Sequence, residues 1–181
     1  MNDVFLQVNE LRKDAAYSQK RGLHFIIAAI IIWSLITLIH ASHLPVMTKN
    51  MYTFSCSAPL VPLAYFISRL LKIDFSGKSN PLTALGIIFS VNQMLYILIA
   101  MWAFSAVPDK MLMIYAVITG AHFLPYGWLY RSKAYYIMSA AAAITALIAG
   151  ITLPGAALSS VMLIMLFILC VGLIIENRKK Y

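Results

Sequence analysis

The sequence predicts an all-α fold: a polytopic membrane protein with six transmembrane helices preceded by an amphipathic N-terminal helix. Three observations carry this expectation. Hydrophobic residues make up 62% of the 181-residue chain and charged residues only 11%, at a mean hydropathy of +0.84, whereas a soluble domain carries about 25% charged residues. The apolar residues fall into runs of close to the ~20 residues that a helix needs to cross ~30 Å of hydrocarbon. The basic residues between those runs crowd into alternate connections, as membrane loops do. A single domain accommodates the whole length. Backbone groups cannot go unpaired in lipid, so the spans are helices. No run shows the two-residue alternation of a β-barrel strand.

Residues 1–22 come first. Val4, Val8, Leu11 and Ala15 recur at helical spacing with Phe5 beside them, and Asn9, Lys13 and Lys20 take the other side. This is an amphipathic helix that lies on the inner membrane surface or docks under the bundle. Asn2 and Asp3 suit its start. It is read as a cap on the bundle, with a partner-binding or regulatory helix as the alternative. The bundle, 23–175, consists of runs 23–41, 51–71, 82–104, 111–129, 134–153 and 155–175. The first is too long for the ~7–15-residue apolar core of a signal peptide and is expected to stay as an uncleaved span. In the second, Ser55, Ser57, Pro59 and Pro62 interrupt the apolar pattern. Between the fifth and sixth, Pro154 and Gly155 make the turn without a charge. In the fifth, Ala142, Ala146 and Gly150 repeat every four residues, which lets another helix approach closely. A basic tail, 176–181, follows.

Orientation comes from the loops. With six spans the termini share a side, and that side holds 12 of the 14 Lys and Arg residues; only Lys49 and Lys110 fall on the other. Positive loops stay in the cytoplasm, so both termini are expected there, in a multi-pass protein of the cell membrane. The net charge of +8 belongs to these loops and forms no basic face, so nucleic acid is not an expected partner. The expected partners are the lipid bilayer and a small-molecule or ion ligand, and a homo-oligomer is compatible with the sequence.

Polar residues inside the spans line up. Tyr115, Thr119, His122 and Tyr126 form one stripe in the fourth span. Asn92, Gln93 and Tyr96 cluster in the third. Trp33, Thr37 and His40 share a side of the first, and Tyr52, Ser55, Pro59 and Pro62 a line in the second. Polar groups at membrane depth turn toward protein or water, so the four sets are expected to face one another around a weakly polar cavity without a fixed charge. Each has a plainer reading. Asn92 and Gln93 serve equally as interhelical glue, and His122 as a core histidine bonded to a tyrosine or a carbonyl. Trp128, Tyr130, Tyr135 and Tyr136, beside Arg131 and Lys133, read as an interfacial aromatic belt. In "GAHFLPYGWLYRSKAYY", 120–136, Pro125 removes a main-chain hydrogen bond from the carbonyl of Ala121, one turn from His122. A kink, a freed carbonyl and a ring that titrates near neutrality suit a gate or a proton relay.

The chemistry of catalysis is thin. Asp3, Glu10, Asp14, Asp74, Asp109 and Glu176 all lie in loops or at span ends, which leaves no carboxylate pair at depth. Ser55 could act as a nucleophile with His40 or His43, an intramembrane-hydrolase alternative. His40 and His43 alone are a weak metal signal, and Cys56 and Cys170 lack ligand spacing. No metal and no cofactor is expected, since no phosphate-cradling or haem motif is present.

The segment "GAHFLPYGWLYRSKAYY", with the basic amphipathic start and the six spans, resembles a family of small bacterial membrane proteins of unknown function. That resemblance implies a six-helix membrane protein over nearly the whole chain and carries no activity. Two readings of function stand. One is a small transporter or channel-like protein with a path between spans one to four. The other is a non-transporting membrane partner subunit, stress factor or sensor. A continuous hydrated cavity reaching Asn92 and His122 would favour the first, a tightly packed bundle the second.

Overall fold

The computed structural model describes residues 2–75 and 80–178. Lys78, Lys179 and Lys180, three of the basic residues assigned above to the cytoplasmic side, lie outside them, as does the end of the basic tail. The described chain is all helical: α1 (Asn2–Ser18), α2 (Leu23–Ala41), α3 (Val46–Ser57), α4 (Leu60–Leu70), α5 (Leu82–Ala106), α6 (Pro108–Ala121), α7 (Phe123–Leu129), α8 (Lys133–Thr152) and α9 (Gly155–Arg178), with one 3-10 turn at Lys20–Gly22. Five helical stretches are long and apolar enough to cross a membrane: Lys20–Ala41, Leu82–Ala106, Pro108–Leu129, Lys133–Thr152 and Gly155–Arg178.

The second apolar run is the exception, because it is two shorter helices joined at Ala58 and Pro59. Pro59 and Pro62 carry no N–H, so the carbonyls of Ser55 and Ala58 lose their helical donors. Pro62 is tolerated because it falls in the first turn of α4, where main-chain donors are unpaired anyway. Pro125 acts the same way between α6 and α7. His122 keeps helical angles and its N–H still reaches Ile118 O at 3.0 Å, but regular helix stops at Ala121 and resumes at Phe123.

α9 is central. It packs on α2 and α8, α8 packs on α6, and α4 lies against α2. Small residues permit this density. Ala28, Ala116, Ala142 and Ala146 are fully buried, and a Cβ on Gly120 would meet Ala143 N at 2.6 Å. Ile36, Met162, Leu166 and Leu169 fill the remaining space. α5 is different. Only 6% of its most apolar stretch is buried, against 33% to 50% for the other four long stretches. Ala100 and Ala103 hold it against the core, while Met94, Leu98 and Trp102 are exposed.

α1 docks by its second half. Ala15 and Ala16 are buried, Asn80 Nδ2 donates to Leu11 O and Asp14 Oδ2, and Arg12 donates to Trp128 O through Nε and Nη2 at 2.8 and 2.6 Å. The Arg12 guanidinium also lies over the Trp128 ring, and burial there lowers its pKa from the usual value. Val4, Phe5 and Leu6 stay exposed.

Candidate functional site

The expected polar residues separate into three groups. In the first, Trp33 stacks on Tyr115 with ring centres 5.7 Å apart, Tyr115 donates to Ser57 Oγ at 2.8 Å, and Thr119 returns its hydroxyl to Tyr115 O. In the second, His122 is buried edge-on against Tyr126 at 5.2 Å, and Tyr126 Oη meets Ser90 Oγ at 2.8 Å. Among the described residues His122 makes no side-chain hydrogen bond, and none links it to Asn92 or Gln93. Those two amides are half-buried on α5, and Tyr96 is exposed. The third group turns away from the bundle: Tyr52, Ser55, Pro59 and Pro62 are exposed, and the inner side of α3 carries Asn50, Thr53 and Ser57. The serine can face outward because its hydroxyl already donates to Met51 O at 3.1 Å.

The first span's histidine leads to a cavity. His40 is buried at the end of α2, and its Nε2 meets Thr53 Oγ1 at 3.1 Å, so it is not paired with Ser55. A cavity of about 240 Å³ opens beside it, lined by His40, Lys49, Asn50, Pro108, Asp109 and Gly155 among others. Three helices begin around it: α3 at Val46, α6 at Pro108 and α9 at Gly155. Helix starts present unpaired N–H groups and partial positive charge. Lys49 donates through Nζ to His40 O at 3.2 Å, and Asn50 through Nδ2 to Pro108 O at 2.8 Å. Asn50 is 1% exposed, and its Oδ1 is buried without a hydrogen-bond partner among the described residues. Gly155 is required here, since a Cβ would sit 2.8 Å from His40 Nδ1. Two proline-led turns build the site: Pro45 precedes α3 and Pro108 opens α6, where its missing N–H costs nothing.

The sequence profile of a family of unknown function, DUF7010, matches residues 8–176. The chain belongs to that family. No curated protein and no solved structure matches the chain. The family span takes in every residue of the cavity and of the two inner polar groups.

At the opposite end lies a second polar cluster that the loop-by-loop reading passed over. Lys20, Arg21 and Gly22 all take left-handed backbone, with φ of 45°, 53° and 69°, a conformation that costs about 1–2 kcal/mol per non-glycine residue. The cluster holds it. Tyr135 Oη donates to Arg21 O at 3.0 Å, and Asn177 Nδ2 donates to Lys20 O at 3.0 Å. Arg21 Nη1 donates to Asn177 Oδ1 at 2.6 Å, and its Nε lies 3.6 Å from Glu176 Oε2. Glu176 Oε1 accepts from Ala134 N at 3.0 Å, which places a carboxylate at the start of α8, where the helix dipole favours it. Tyr130 donates to Gln19 Oε1 at 2.6 Å; burial, with Tyr126 alongside, pushes its phenol up. Of the four aromatics read as a belt, Tyr130 and Tyr135 are buried, and Trp128 and Tyr136 are about two-fifths exposed.

Among the described residues no three His, Cys, Asp or Glu side chains converge on one point. His43 is exposed while His40 is buried. The His40 end gathers hydrogen-bonding groups and opposite charges.

Proposed function

We propose that the chain is an integral protein of the cell membrane, both termini cytoplasmic, that binds a small polar ligand at the outer end of its bundle and acts as a sensor or partner subunit. The cavity at His40, Lys49 and Asn50 carries this reading, because Lys49, Asp109 and the starts of three helices line it. Helix starts present unpaired N–H groups and partial positive charge, to which the acceptor groups of a polar ligand are drawn. Close packing at Ile36, Ala116, Ala146 and Leu166 supports binding over conduction. The loop charges support the orientation: the cavity end carries only Lys49 and Lys110.

Accessibility tests it. In a background with Cys56→Ser and Cys170→Ala, Ser42→Cys beside the cavity should react with a membrane-impermeant thiol reagent on intact cells. Lys133→Cys should react only after permeabilisation. The reverse pattern would place the cavity inside and sink the proposal. A small transporter is the second reading, favoured by the helix break at His122 and Pro125, which is a ready hinge. Net solute flux through reconstituted vesicles would promote it.

A further inference from the structure

α5 packs chiefly on α6, where Ala100 and Ala103 are fully buried, and one of its flanks stays uncovered among the described residues. Along that flank Leu85, Ile88, Asn92, Leu95, Ile99 and Trp102 recur at alternating spacings of three and four residues. Such heptad spacing keeps one seam on one side of a helix that pairs lengthwise with another. Ile88 and Leu95 are each 59% exposed, Ile99 49% and Trp102 61%. Apolar side chains in this position are content with lipid. Asn92 is not. It is the eleventh of the 25 residues of α5, about 15 Å along a helix of about 37 Å, and so lies near the middle of the span. It is half-buried, and its side chain makes no hydrogen bond among the described residues. Hydrocarbon offers a carboxamide no partner, and leaving it there is costly.

The neighbouring amide takes no part in this. Gln93 lies about 100° further round the helix, in line with Ala100, which is buried, and Phe104, whose ring is 6.1 Å from that of Phe54. It belongs to the bundle side. Asn92 alone interrupts the outer seam, and its chemistry says what fits there. A carboxamide both donates and accepts, so it is complementary to a second carboxamide at the same depth. Two copies of one chain insert with the same topology, and the two-fold axis that relates them then runs along the membrane normal. A helix at that axis meets its own copy parallel and in register, residue against the same residue. A second copy therefore brings Asn92 to Asn92 and apolar residues to apolar residues. One asparagine in an apolar heptad seam also fixes the register and the number of strands.

We infer that this flank of α5 is the contact surface of a parallel two-fold homodimer, in which the two Asn92 side chains hydrogen-bond to each other at mid-span. Ile88, Leu95 and Ile99 pack around that pair. The inference does not depend on the His40 cavity.

The test uses the full chain in the Cys56→Ser, Cys170→Ala background, with single cysteines oxidised to disulfides both in native membranes and in vesicles of the purified protein. Leu95→Cys and Ile99→Cys, on the seam, should form cross-linked dimers at least tenfold faster than Met94→Cys and Met101→Cys, which are 51% and 56% exposed in the parent but lie off the seam. Adding Asn92→Leu to Ile99→Cys should slow cross-linking at least tenfold, while Asn92→Gln, which keeps a carboxamide, should retain most of it. Thermal unfolding checks that both variants fold, as expected for a side chain without a bond in its own chain. Equal rates on and off the seam would mean random collision and overturn the interface. Fast seam cross-linking that Asn92→Leu leaves unchanged would overturn the asparagine pair. A product of another mass in native membranes, with no dimer in the vesicles, would overturn the second copy in favour of a different protein.

Discussion

The two ends of this bundle bury polar groups in different ways. At the Arg21 end, donors and acceptors meet one another: Tyr130 with Gln19, Tyr135 with the Arg21 carbonyl, Asn177 with both Lys20 O and the Arg21 guanidinium, Glu176 with Ala134 N. At the His40 end, Asn50 uses half its amide, and its Oδ1 is buried without a partner among the described residues. A polar cluster bonded this densely fixes a backbone, here three successive left-handed residues, with Glu176 Oε2 held by Arg21 Nε as an ion pair at 3.6 Å. One that stops short leaves a polar atom unmet, which calls for an explanation. Substitutions at the two ends should therefore divide: large stability losses at the first, loss of ligand response with little loss of stability at the second.

The sharpest break of that contrast is Arg21→Met. Arg21 is 4% exposed, and removing it leaves the Glu176 carboxylate facing a partly buried space without its cation. Losing one partner of a buried pair costs about 3–5 kcal/mol; Glu176 keeps some contact with solvent, so about 3 kcal/mol is expected. Thermal unfolding in micelles measures it. A loss below about 1 kcal/mol would make the two ends energetically alike. Tyr130→Phe is the milder version. It strands Gln19 Oε1 and should cost about 1–2 kcal/mol. It should also flatten an alkaline limb. Burial raises the folded pKa of Tyr130 above its unfolded value. Its contribution is thus complete below the ordinary tyrosine pKa of about 10 and is lost as pH climbs above that. An unchanged alkaline limb in the Phe variant would show that Tyr130 is not the group responsible.

The five long helical stretches were legible because each one is an apolar run with its own punctuation. Pro154–Gly155 separates α8 from α9, Pro108 opens α6, and Pro59 and Pro62 divide α3 from α4. Which side of each helix faces inward was much less legible. In a helix that is apolar nearly all round, a few hydroxyls set no direction, since Ser and Thr can satisfy themselves on the preceding turn, as Ser55 does. The Trp33–Tyr115 contact follows from the stripes, whereas Tyr52 and Tyr96 turn outward. Of the cavity, only His40 was visible as a candidate. Lys49, Asn50 and Asp109 lie at helix starts, where charge patterning treats them as markers of sidedness. The available signal was Asn50, an amide at the head of an apolar run beside the sole lysine of its loop. Arg21 and Glu176 were hidden likewise. They are the last basic residue before the first span and the acid that closes the last, and with six spans both fall at the same end.

The smallest effect belongs to His122, and it decides whether a third polar region exists between the two ends. The ring is buried, packs edge-on to Tyr126 at 5.2 Å and has no side-chain hydrogen bond among the described residues. Phenylalanine has nearly the same width and keeps the edge contact, an arrangement worth about 0.5–1.5 kcal/mol. It also removes ring nitrogens whose burial without partners is unfavourable. His122→Phe should therefore shift stability by less than about 1 kcal/mol in either direction and leave the labelling rate of a Val46→Cys thiol at the cavity unchanged. A loss of about 2 kcal/mol or more would mean that the ring holds a polar partner, such as a bound water at the Ala121 carbonyl that Pro125 leaves open. Stability kept but labelling altered would couple the α6–α7 break to the cavity at the far end of α6, and would move the hinge from the second reading of function to the first.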